Sequence, residues 1–423
     1  MTGIRKINRI KGEVNIPGDK SISHRGVMLG ALGDGITEID GFLTGADCLS
    51  TIDCFRNLGI DTEICGTHVT VHGKGINGLK KPDKILYAGN SGTTTRLLTG
   101  ILAGQSFDST ITGDSSILKR PMSRVVKPLS LMGAKIEGEY CPLSIKGSRL
   151  AGIEYDMPVA SAQVKTAILL AGLYADGKTT VIEKEKSRDH TERMLSAMGA
   201  KIYEDGLNVS VEICEKLSGI HLEVPGDISS AAFFIAAATV MNGSEILIKN
   251  VGVNPTRTGI LDVARSMGAD VTEINYRTHN SEPVCDLLVK SANIKGVRID
   301  GAIIPRLIDE LPIIAVMALS ADGETVIADA GELKIKETNR ITAVCTELQK
   351  CGADITETAD GMIIRGGRKL KGASFKSYAD HRMAMSLAVL AQMAEGESSI
   401  DDISCCEISY PTFFEDFYSL EDK

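Results

Sequence analysis

Six stretches of apolar and small residues recur along the chain, each followed by a glycine turn and a short strand-like run. They span residues 26–39, 97–111, 167–182, 233–248, 313–328 and 384–400. Each stretch is apolar nearly all round, which predicts a helix buried on every side. Recurrence at a spacing of about 70 residues indicates a chain built from repeated supersecondary units. The pattern therefore predicts six similar modules, three in each half of the chain.

A second element, a helix end followed by a strand, occurs five times. It is Met-Gly-Ala or a close variant, within residues 57–62, 131–136, 197–202, 266–271 and 350–355. Glycine just past a helix fits the left-handed conformation that commonly ends helices. Each module is therefore predicted to contain two helices and several short strands, in an α/β fold. A length of 423 residues favours two large domains, with a boundary near residues 224–227.

Polar residues precede all six buried helices, and five of these segments carry Lys or Arg. The segments are residues 18–25, 89–96, 161–165, 225–230, 305–310 and 379–382. Any one of them reads as an ordinary N-cap. A helix N-terminus also attracts anions. Burial of a cation without a partner destabilises the fold by roughly several kcal/mol. Together the segments predict an anionic ligand.

Overall composition excludes several classes of function. The net charge is −9, Trp is absent and aromatic residues make up 4%, which argues against a nucleic-acid binder. The ten cysteines include no CxxC pair, so they are predicted to be reduced and mostly core residues. The first 17 residues have no apolar signal region and no long apolar run occurs, so a cytoplasmic protein without membrane contact is expected.

Further basic residues lie outside the helix starts, in residues 119–124, 187–190 and 334–340. Lys336 and Arg340 are four residues apart, which predicts a shared helical face with Glu337 beside them. A solvated, salt-bridged helix start explains that spacing equally well. His24, His190 and His381 are widely separated and match no metal motif, so they are predicted to be structural.

Several of these segments, taken in order, resemble the 5-enolpyruvylshikimate-3-phosphate synthase (3-phosphoshikimate 1-carboxyvinyltransferase) family. The segments are residues 19–25 (DKSISHR), 89–93 (GNSGT), 119–122 (KRPM), 161–163 (SAQ), 336–340 (KETNR) and 380–382 (DHR). The resemblance covers residues 17–411, and its specificity comes from the joint order.

The resemblance implies two similar domains, each of three βαβαββ-type repeats with buried parallel helices (an inside-out α/β barrel). The active site would lie in the cleft between them. The domains would be residues 20–229, and residues 1–19 together with 230–423. The sequence pattern alone does not assign the first strand to either half. A monomer without organic cofactor or metal is expected.

The family transfers the enolpyruvyl group of phosphoenolpyruvate to the 5-hydroxyl of shikimate-3-phosphate, two substrates that together carry about six negative charges. The residues implied to bind shikimate-3-phosphate are Lys20, Ser21, Arg25, Ser161, Ala162, Gln163, Arg188, Asp309 and Lys336. Those implied to bind phosphoenolpyruvate are Lys20, Asn90, Gly92, Arg120, Gln163, Arg340 and Arg382.

The family's reaction is an addition followed by an elimination, so it requires acid/base groups on both sides of the reacting atoms. The resemblance assigns Asp309 to the 5-hydroxyl and Glu337 to C3 of phosphoenolpyruvate. Lys20 or Lys336 would aid proton transfer and stabilise charge. The division of the proton transfers among these residues stays open.

Three positions bear on ligand affinity. Ala162 replaces a serine, and Ile408 a lysine, that many family members carry, so each removes one polar contact to a substrate. Gly92 replaces an alanine found in some members, which predicts a roomier pocket and sensitivity to glyphosate.

Two alternatives remain. The related UDP-N-acetylglucosamine enolpyruvyl transferases share the donor, but the Lys20-Ser21 pair and residues 119–121 favour the shikimate enzyme. A non-catalytic phosphometabolite-binding protein would need neither Asp309 nor Glu337.

Overall fold

The structure, a computed structural model, describes residues 1–422 and divides into two compact units. The first unit comprises residues 18–224 and 279–282, and the second comprises residues 1–17, 225–278 and 283 onward. These limits differ by a few residues from those that the resemblance implies, and loop 279–282 groups with the first unit.

The strands are short and are spread over the whole described chain. They are β1 (Thr2–Ile4), β2 (Lys11–Asn15), β3 (Asp34–Asp40), β4 (Asp61–Cys65), β5 (His68–Lys74), β6 (Leu86–Tyr87), β7 (Ser109–Thr112), β8 (Lys135–Glu137), β9 (Leu143–Lys146), β10 (Glu154–Asp156), β11 (Thr179–Ile182), β12 (Ile202–Asp205), β13 (Asn208–Val211), β14 (His221–Glu223), β15 (Glu245–Gly252), β16 (Asp270–His279), β17 (Glu282–Lys290), β18 (Arg298–Ile299), β19 (Glu324–Ile327), β20 (Asp354–Glu357), β21 (Met362–Arg365), β22 (Ser374–Phe375) and β23 (Ser398–Ile400).

The α-helices alternate with these strands. They are α1 (Lys20–Leu32), α2 (Ala46–Asn57), α3 (Gly92–Ala103), α4 (Ser123–Leu131), α5 (Ala162–Gly172), α6 (His190–Ala197), α7 (Ile228–Val240), α8 (Gly259–Met267), α9 (Ile304–Leu307), α10 (Leu311–Ala318), α11 (Arg340–Lys350), α12 (His381–Met393) and α13 (Phe413–Ser419). Short 3-10 helices span Ile117–Lys119, Gly301–Ile303, Gly331–Ile335 and Ser404–Ile408. Within residues 1–422, every helix is too short or too polar to cross a bilayer.

The sheets repeat one arrangement in both units. Those of the first unit run β14-β3-β5-β4, β6-β7-β9-β8 and β10-β11-β13-β12; those of the second run β16-β17-β15-β2, β18-β19-β21-β20 and β1-β23-β22. In each four-stranded sheet a parallel strand pair adjoins an antiparallel hairpin, as where β7 pairs parallel with β6 and antiparallel with β9. The repeated α/β modules are therefore confirmed at the level of secondary structure.

The predicted helices that are apolar all round form the centre of each unit. Helices α1, α3 and α5 lie in one buried apolar cluster, and α7, α10 and α12 lie in another. In α10, Leu311 through Ala318 are all buried, as expected for a helix with no polar face.

The five glycines predicted to end helices all adopt the left-handed conformation. Their φ angles are +88° at Gly59, +97° at Gly133, +90° at Gly199, +98° at Gly268 and +86° at Gly352. Glycine adopts such angles without steric cost because it has no Cβ, so this prediction is confirmed.

The N-terminal strands complete sheets of the second unit. Strand β1 pairs antiparallel with β23, and β2 pairs parallel with β15. The sixth repeat ends in α13, whose Phe413 and Phe417 rings stack on each other with centroids 5.7 Å apart. Phe413 also packs edge-on against Phe233 of α7 at 5.8 Å. The first strand, which the pattern could not assign, therefore belongs with the second half.

Candidate active site

The start of α1 carries two of the predicted cations of the first unit. Asp19 caps the helix because its carboxylate accepts a hydrogen bond from Ile22 N at 2.9 Å, which places Lys20 in the first turn. The Lys20 ammonium forms an ion pair with Asp47 of α2. Asp47 received no role in the sequence analysis, because an acidic residue in the first turn of a helix is ordinary.

Arg25 is a buried cation oriented by hydroxyl groups. Its Nε donates to Thr191 Oγ1 at 2.7 Å and its Nη2 donates to Thr166 Oγ1 at 2.9 Å. Arg188 lies near the same turn, where its Nη1 donates to Ser21 Oγ at 3.3 Å. The structure therefore brings together Ser21, Arg25 and Arg188.

A second group of predicted residues forms at the start of α3. Ser91 caps the helix through Thr94 N at 3.0 Å. Arg120 donates to Asn90 Oδ1 at 3.2 Å, and Asn90 donates in turn to Asp114 Oδ2 at 2.9 Å. Asn90 and Arg120, from distant parts of the sequence, are therefore in contact.

Gly92 lies beneath two arginines at this helix start. A Cβ at position 92 would lie 2.6 Å from Arg96 Nη1 and 3.1 Å from Arg120 Nη1. The guanidinium groups can approach the backbone this closely because residue 92 has no side chain. Arg96 had no predicted role, although its spacing from Gly92 is one helical turn.

The start of α5 joins that of α3. Ser161 caps α5 by accepting from Val164 N at 3.4 Å, and Ala162 is the first helical residue. Gln163 accepts from Arg96 Nη1 and donates to Thr93 Oγ1, both at 2.9 Å. Gln163 therefore belongs to the group around Gly92.

In the second unit, the predicted acid/base residues form one connected cluster around Asp309. Asp309 Oδ1 accepts from Lys336 Nζ at 3.1 Å and from Arg340 Nη1 at 3.3 Å. Arg382 Nη1 donates to the backbone carbonyl of Asp309 at 3.3 Å. Glu337 Oε2 accepts from Arg340 Nη2 at 2.6 Å. All five predicted residues of this unit are therefore brought together.

Arg340 is the fully buried centre of this cluster. Its Nε and Nη2 donate to both carboxylate oxygens of Asp380, at 2.8 and 3.2 Å. Burial acts against the charge of Arg340, but the carboxylates of Asp380, Glu337 and Asp309 outweigh it and raise the pKa of the guanidinium. Asp380 had no predicted role, although it lies in the 380–382 segment that carries the resemblance.

The predicted helical face shared by Lys336 and Arg340 is wrong. Asn339 accepts from Thr342 N at 3.4 Å and caps α11, so the helix begins at Arg340. Lys336 lies in the preceding extended segment. The two cations meet because both reach Asp309, and not because of their helical spacing.

One group in the described chain has the residue types of a metal site. The ligand atoms of Asp189, His190 and Glu282 lie within 4.8 Å of one another. Arg193 lies 2.9 Å from the Asp189 carboxylate and 3.9 Å from that of Glu282, and His190 Nδ1 lies 2.7 Å from Glu282 Oε1. Because a cation already faces these carboxylates, the donor set does not fit a divalent ion well. The expectation of no metal stays a prediction.

Comparisons with known proteins agree along the whole chain. The family profile described as EPSP synthase (3-phosphoshikimate 1-carboxyvinyltransferase) matches residues 4–417. Proteins named 3-phosphoshikimate 1-carboxyvinyltransferase are 57% identical over 420 residues in Thermoanaerobacter sp. (strain X514) and 54% identical over 423 residues in Bacillus subtilis (strain 168). Both alignments cover 99% of each chain.

A solved EPSP synthase structure from Acinetobacter baumannii is similar to this one, with a TM-score of 0.88 and 44% sequence identity. The alignment covers 99% of this chain and 98% of that one. By sequence and by fold, the chain belongs to the EPSP synthase (3-phosphoshikimate 1-carboxyvinyltransferase) family.

Proposed function

We propose that this chain is an enzyme that transfers the enolpyruvyl group of phosphoenolpyruvate to the 5-hydroxyl of shikimate-3-phosphate, a step of aromatic amino-acid biosynthesis. The products are phosphate and 5-enolpyruvylshikimate-3-phosphate. The single observation that carries this proposal is the cluster around Asp309. Two carboxylates, Asp309 and Glu337, contact one buried arginine, with Lys336 on Asp309. A protein that only binds anions does not require such paired carboxylates.

The first unit supplies donors for shikimate-3-phosphate. Ser21, Arg25 and Arg188 form a connected group, and we assign the phosphate to it because arginine binds phosphate through paired N–H groups. The start of α5 offers the hydroxyl of Ser161, the side-chain amide of Gln163 and the backbone N–H groups of the first helical turn, which begins at Ala162. In the second unit, Asp309 and Lys336 would contact the reacting hydroxyl.

Phosphoenolpyruvate requires a second set of cations, since it carries both a carboxylate and a phosphate. We assign this role in the first unit to Lys20, Asn90, Gly92, Arg120 and Gln163, and in the second unit to Arg340 and Arg382. The contact from Arg120 to Asn90 and the close approach of the Arg96 and Arg120 guanidinium groups to Gly92 support the assignment. Ile408 lies in the 3-10 helix Ser404–Ile408 and offers no charge to this substrate.

The chemistry follows from the two carboxylates. Asp309 accepts the proton of the 5-hydroxyl while that oxygen forms a bond to C2 of phosphoenolpyruvate. C3 gains a proton, for which Glu337 is the candidate acid, and a tetrahedral intermediate results. The C2–O bond to phosphate then breaks, and loss of a proton from C3 restores the double bond. Lys20 and Lys336 stabilise the changing charge, as cations fixed in advance do.

Further assignments complete the proposal. The two compact units would be two domains, each of three βαβαββ-type repeats around buried parallel helices, as in an inside-out α/β barrel. The enzyme would act in the cytoplasm as a monomer, without an organic cofactor or a metal. Each of these statements stays a prediction.

The test is phosphate release from phosphoenolpyruvate, measured with shikimate-3-phosphate and separately with UDP-N-acetylglucosamine. Release is expected only with the first acceptor, and Asp309→Ala or Glu337→Ala should lower it by about 10²–10⁴-fold. Release only with the second acceptor would overturn the assigned acceptor. Binding without release would indicate a non-catalytic binding protein.

A further inference from the structure

Three charged side chains form a closed cluster in the core of the first unit. Lys165 Nζ lies 2.9 Å from Glu183 Oε2 and 2.6 Å from Glu192 Oε1. All three side chains are 0% exposed. An otherwise apolar helix such as α5 needs no ammonium group for packing, and ions removed from water are retained only with close partners. Packing alone therefore does not account for the three buried ions.

The cluster fixes the backbone immediately before Arg188. Glu183 Oε1 accepts from Ser187 N at 3.1 Å and also from the Ser187 hydroxyl. Lys165 Nζ donates to Ser187 O at 3.3 Å. Both polar backbone groups of Ser187 thus end on the buried ions. The next residue is Arg188, whose guanidinium contacts Ser21.

The same cluster supports the second cation of that group. Thr166 follows Lys165 on α5, and Thr191 precedes Glu192 on α6. The two threonine hydroxyls lie 2.8 Å apart and receive the hydrogen bonds of Arg25. The buried ions therefore tie together the two helices whose threonines orient Arg25.

We propose that Lys165, with Glu183 and Glu192, is a positioning group for the phosphate-bearing acceptor, which sets the separation of Arg25 and Arg188. This inference rests on the proposed function, which assigns those two arginines to shikimate-3-phosphate. Lys165 itself is buried behind them and acts through the loop that ends at Ser187 and through Thr166.

A disturbance of the ion cluster should affect the binding of shikimate-3-phosphate only. The residues assigned to phosphoenolpyruvate in the first unit lie on α1, at the start of α3, after the 3-10 helix Ile117–Lys119 and at the start of α5. None of their hydrogen bonds described above ends on Lys165, Glu183 or Glu192. Disturbing the cluster should therefore weaken the acceptor and leave the donor unchanged. If the cluster had only a structural role, its disturbance would lower the stability and the amount of active enzyme, and the two KM values would change together or not at all.

The experiment compares steady-state kinetics of the full-length wild type with those of Lys165→Met. The variant is expected to raise KM for shikimate-3-phosphate at least tenfold and to leave KM for phosphoenolpyruvate within twofold. Lys201→Met is the matched control, because Lys201 is an exposed lysine of the same unit. It should leave both KM values unchanged.

A second variant keeps the inference testable if two unpaired buried carboxylates prevent folding. Lys165→Met/Glu183→Gln/Glu192→Gln removes all three charges together, which buried ion clusters tolerate better than the loss of one partner. The folded triple variant should show the same selective rise in KM for shikimate-3-phosphate. Unchanged KM for this substrate in either folded variant would overturn the positioning role. Absence of wild-type turnover with shikimate-3-phosphate would instead refute the proposed function.

Discussion

Removing the guanidinium of Arg340 should destabilise the second unit more than removing the guanidinium of an arginine in an exposed ion pair. In the Arg340→Met variant, the carboxylate of Asp380 loses two hydrogen bonds, of 2.8 and 3.2 Å, at a site where its side chain is 0% exposed. Removing one partner of a buried ion pair costs about 3–5 kcal/mol. For a unit of about 150–250 residues, each kcal/mol lowers the melting temperature by about 2–4 °C. We therefore expect a decrease of about 6–20 °C.

The assay is calorimetric melting at neutral pH of Arg340→Met, Asp380→Asn and the double variant. Asp380→Asn retains an oxygen that can accept from Arg382 N, as Asp380 Oδ1 does at 2.9 Å. The double variant removes the Asp380 charge together with that of Arg340, so its loss should be smaller than the sum of the single losses by about 1–3 kcal/mol. Single losses that add to within about 0.5 kcal/mol would refute the reasoning that the two charges depend on each other.

A control isolates burial from charge. Arg365 pairs with Glu324 at 2.8 Å in the same unit, but its side chain is 61% exposed. Exposed ion pairs contribute about 0–1 kcal/mol, so Arg365→Met should change the melting temperature little. A decrease as large as that of Arg340→Met would show that any arginine loss has this effect.

Three further predictions concern other parts of the molecule. Burial, with Lys20 and Arg25 nearby, lowers the pKa of His24 well below its ordinary 6.5. The unfolded chain therefore binds the proton more readily, and the free energy of unfolding should decrease as the pH falls below about 6.5. In urea titrations, His24→Asn should lose less unfolding free energy than the wild type between about pH 6.5 and 5, and parallel curves for the two proteins would contradict this. Gly92→Ala introduces a methyl 2.6 Å from Arg96 Nη1 and should raise the inhibition constant of glyphosate more than KM for phosphoenolpyruvate; failure of sub-millimolar glyphosate to compete in the wild type would refute the roomier pocket. Phe413→Ala removes a ring stacked on Phe417 at 5.7 Å and should cost about 3–5 kcal/mol in denaturant unfolding, whereas Phe414→Ala, at a half-buried position, should cost clearly less.

The sequence predicted the features of this fold that depend on local pattern. Helices without a polar face must be buried, and glycines past helix ends must take positive φ, so both followed from short segments. The motif segments also predicted which polar residues begin the helices. These predictions needed no knowledge of how distant segments meet.

The missed features depend on contacts between distant residues. Asp47 resembles any acidic residue in a first helical turn, and only the packing of α1 and α2 shows its ion pair with Lys20. Lys165 interrupts an apolar helix, but its two glutamates come from other elements. The wrong prediction of a helical face shared by Lys336 and Arg340 has a local cause. Asn339 is itself an effective N-cap, so the helix begins at Arg340 and not before Lys336.

The pairing of the first strands with the last repeats has a consequence for how the chain folds during synthesis. Thr2 pairs with Ile400, so the residues made first obtain their partners among those made near the end. At a synthesis rate of about 5–20 residues per second, β1 waits about 20–80 s for β23. Residues 18–224, in contrast, have their sheet partners within that same stretch. The first unit can therefore fold on the ribosome while the emerged N-terminal strands remain unpaired edges, which are the segments most exposed to aggregation in a nascent chain.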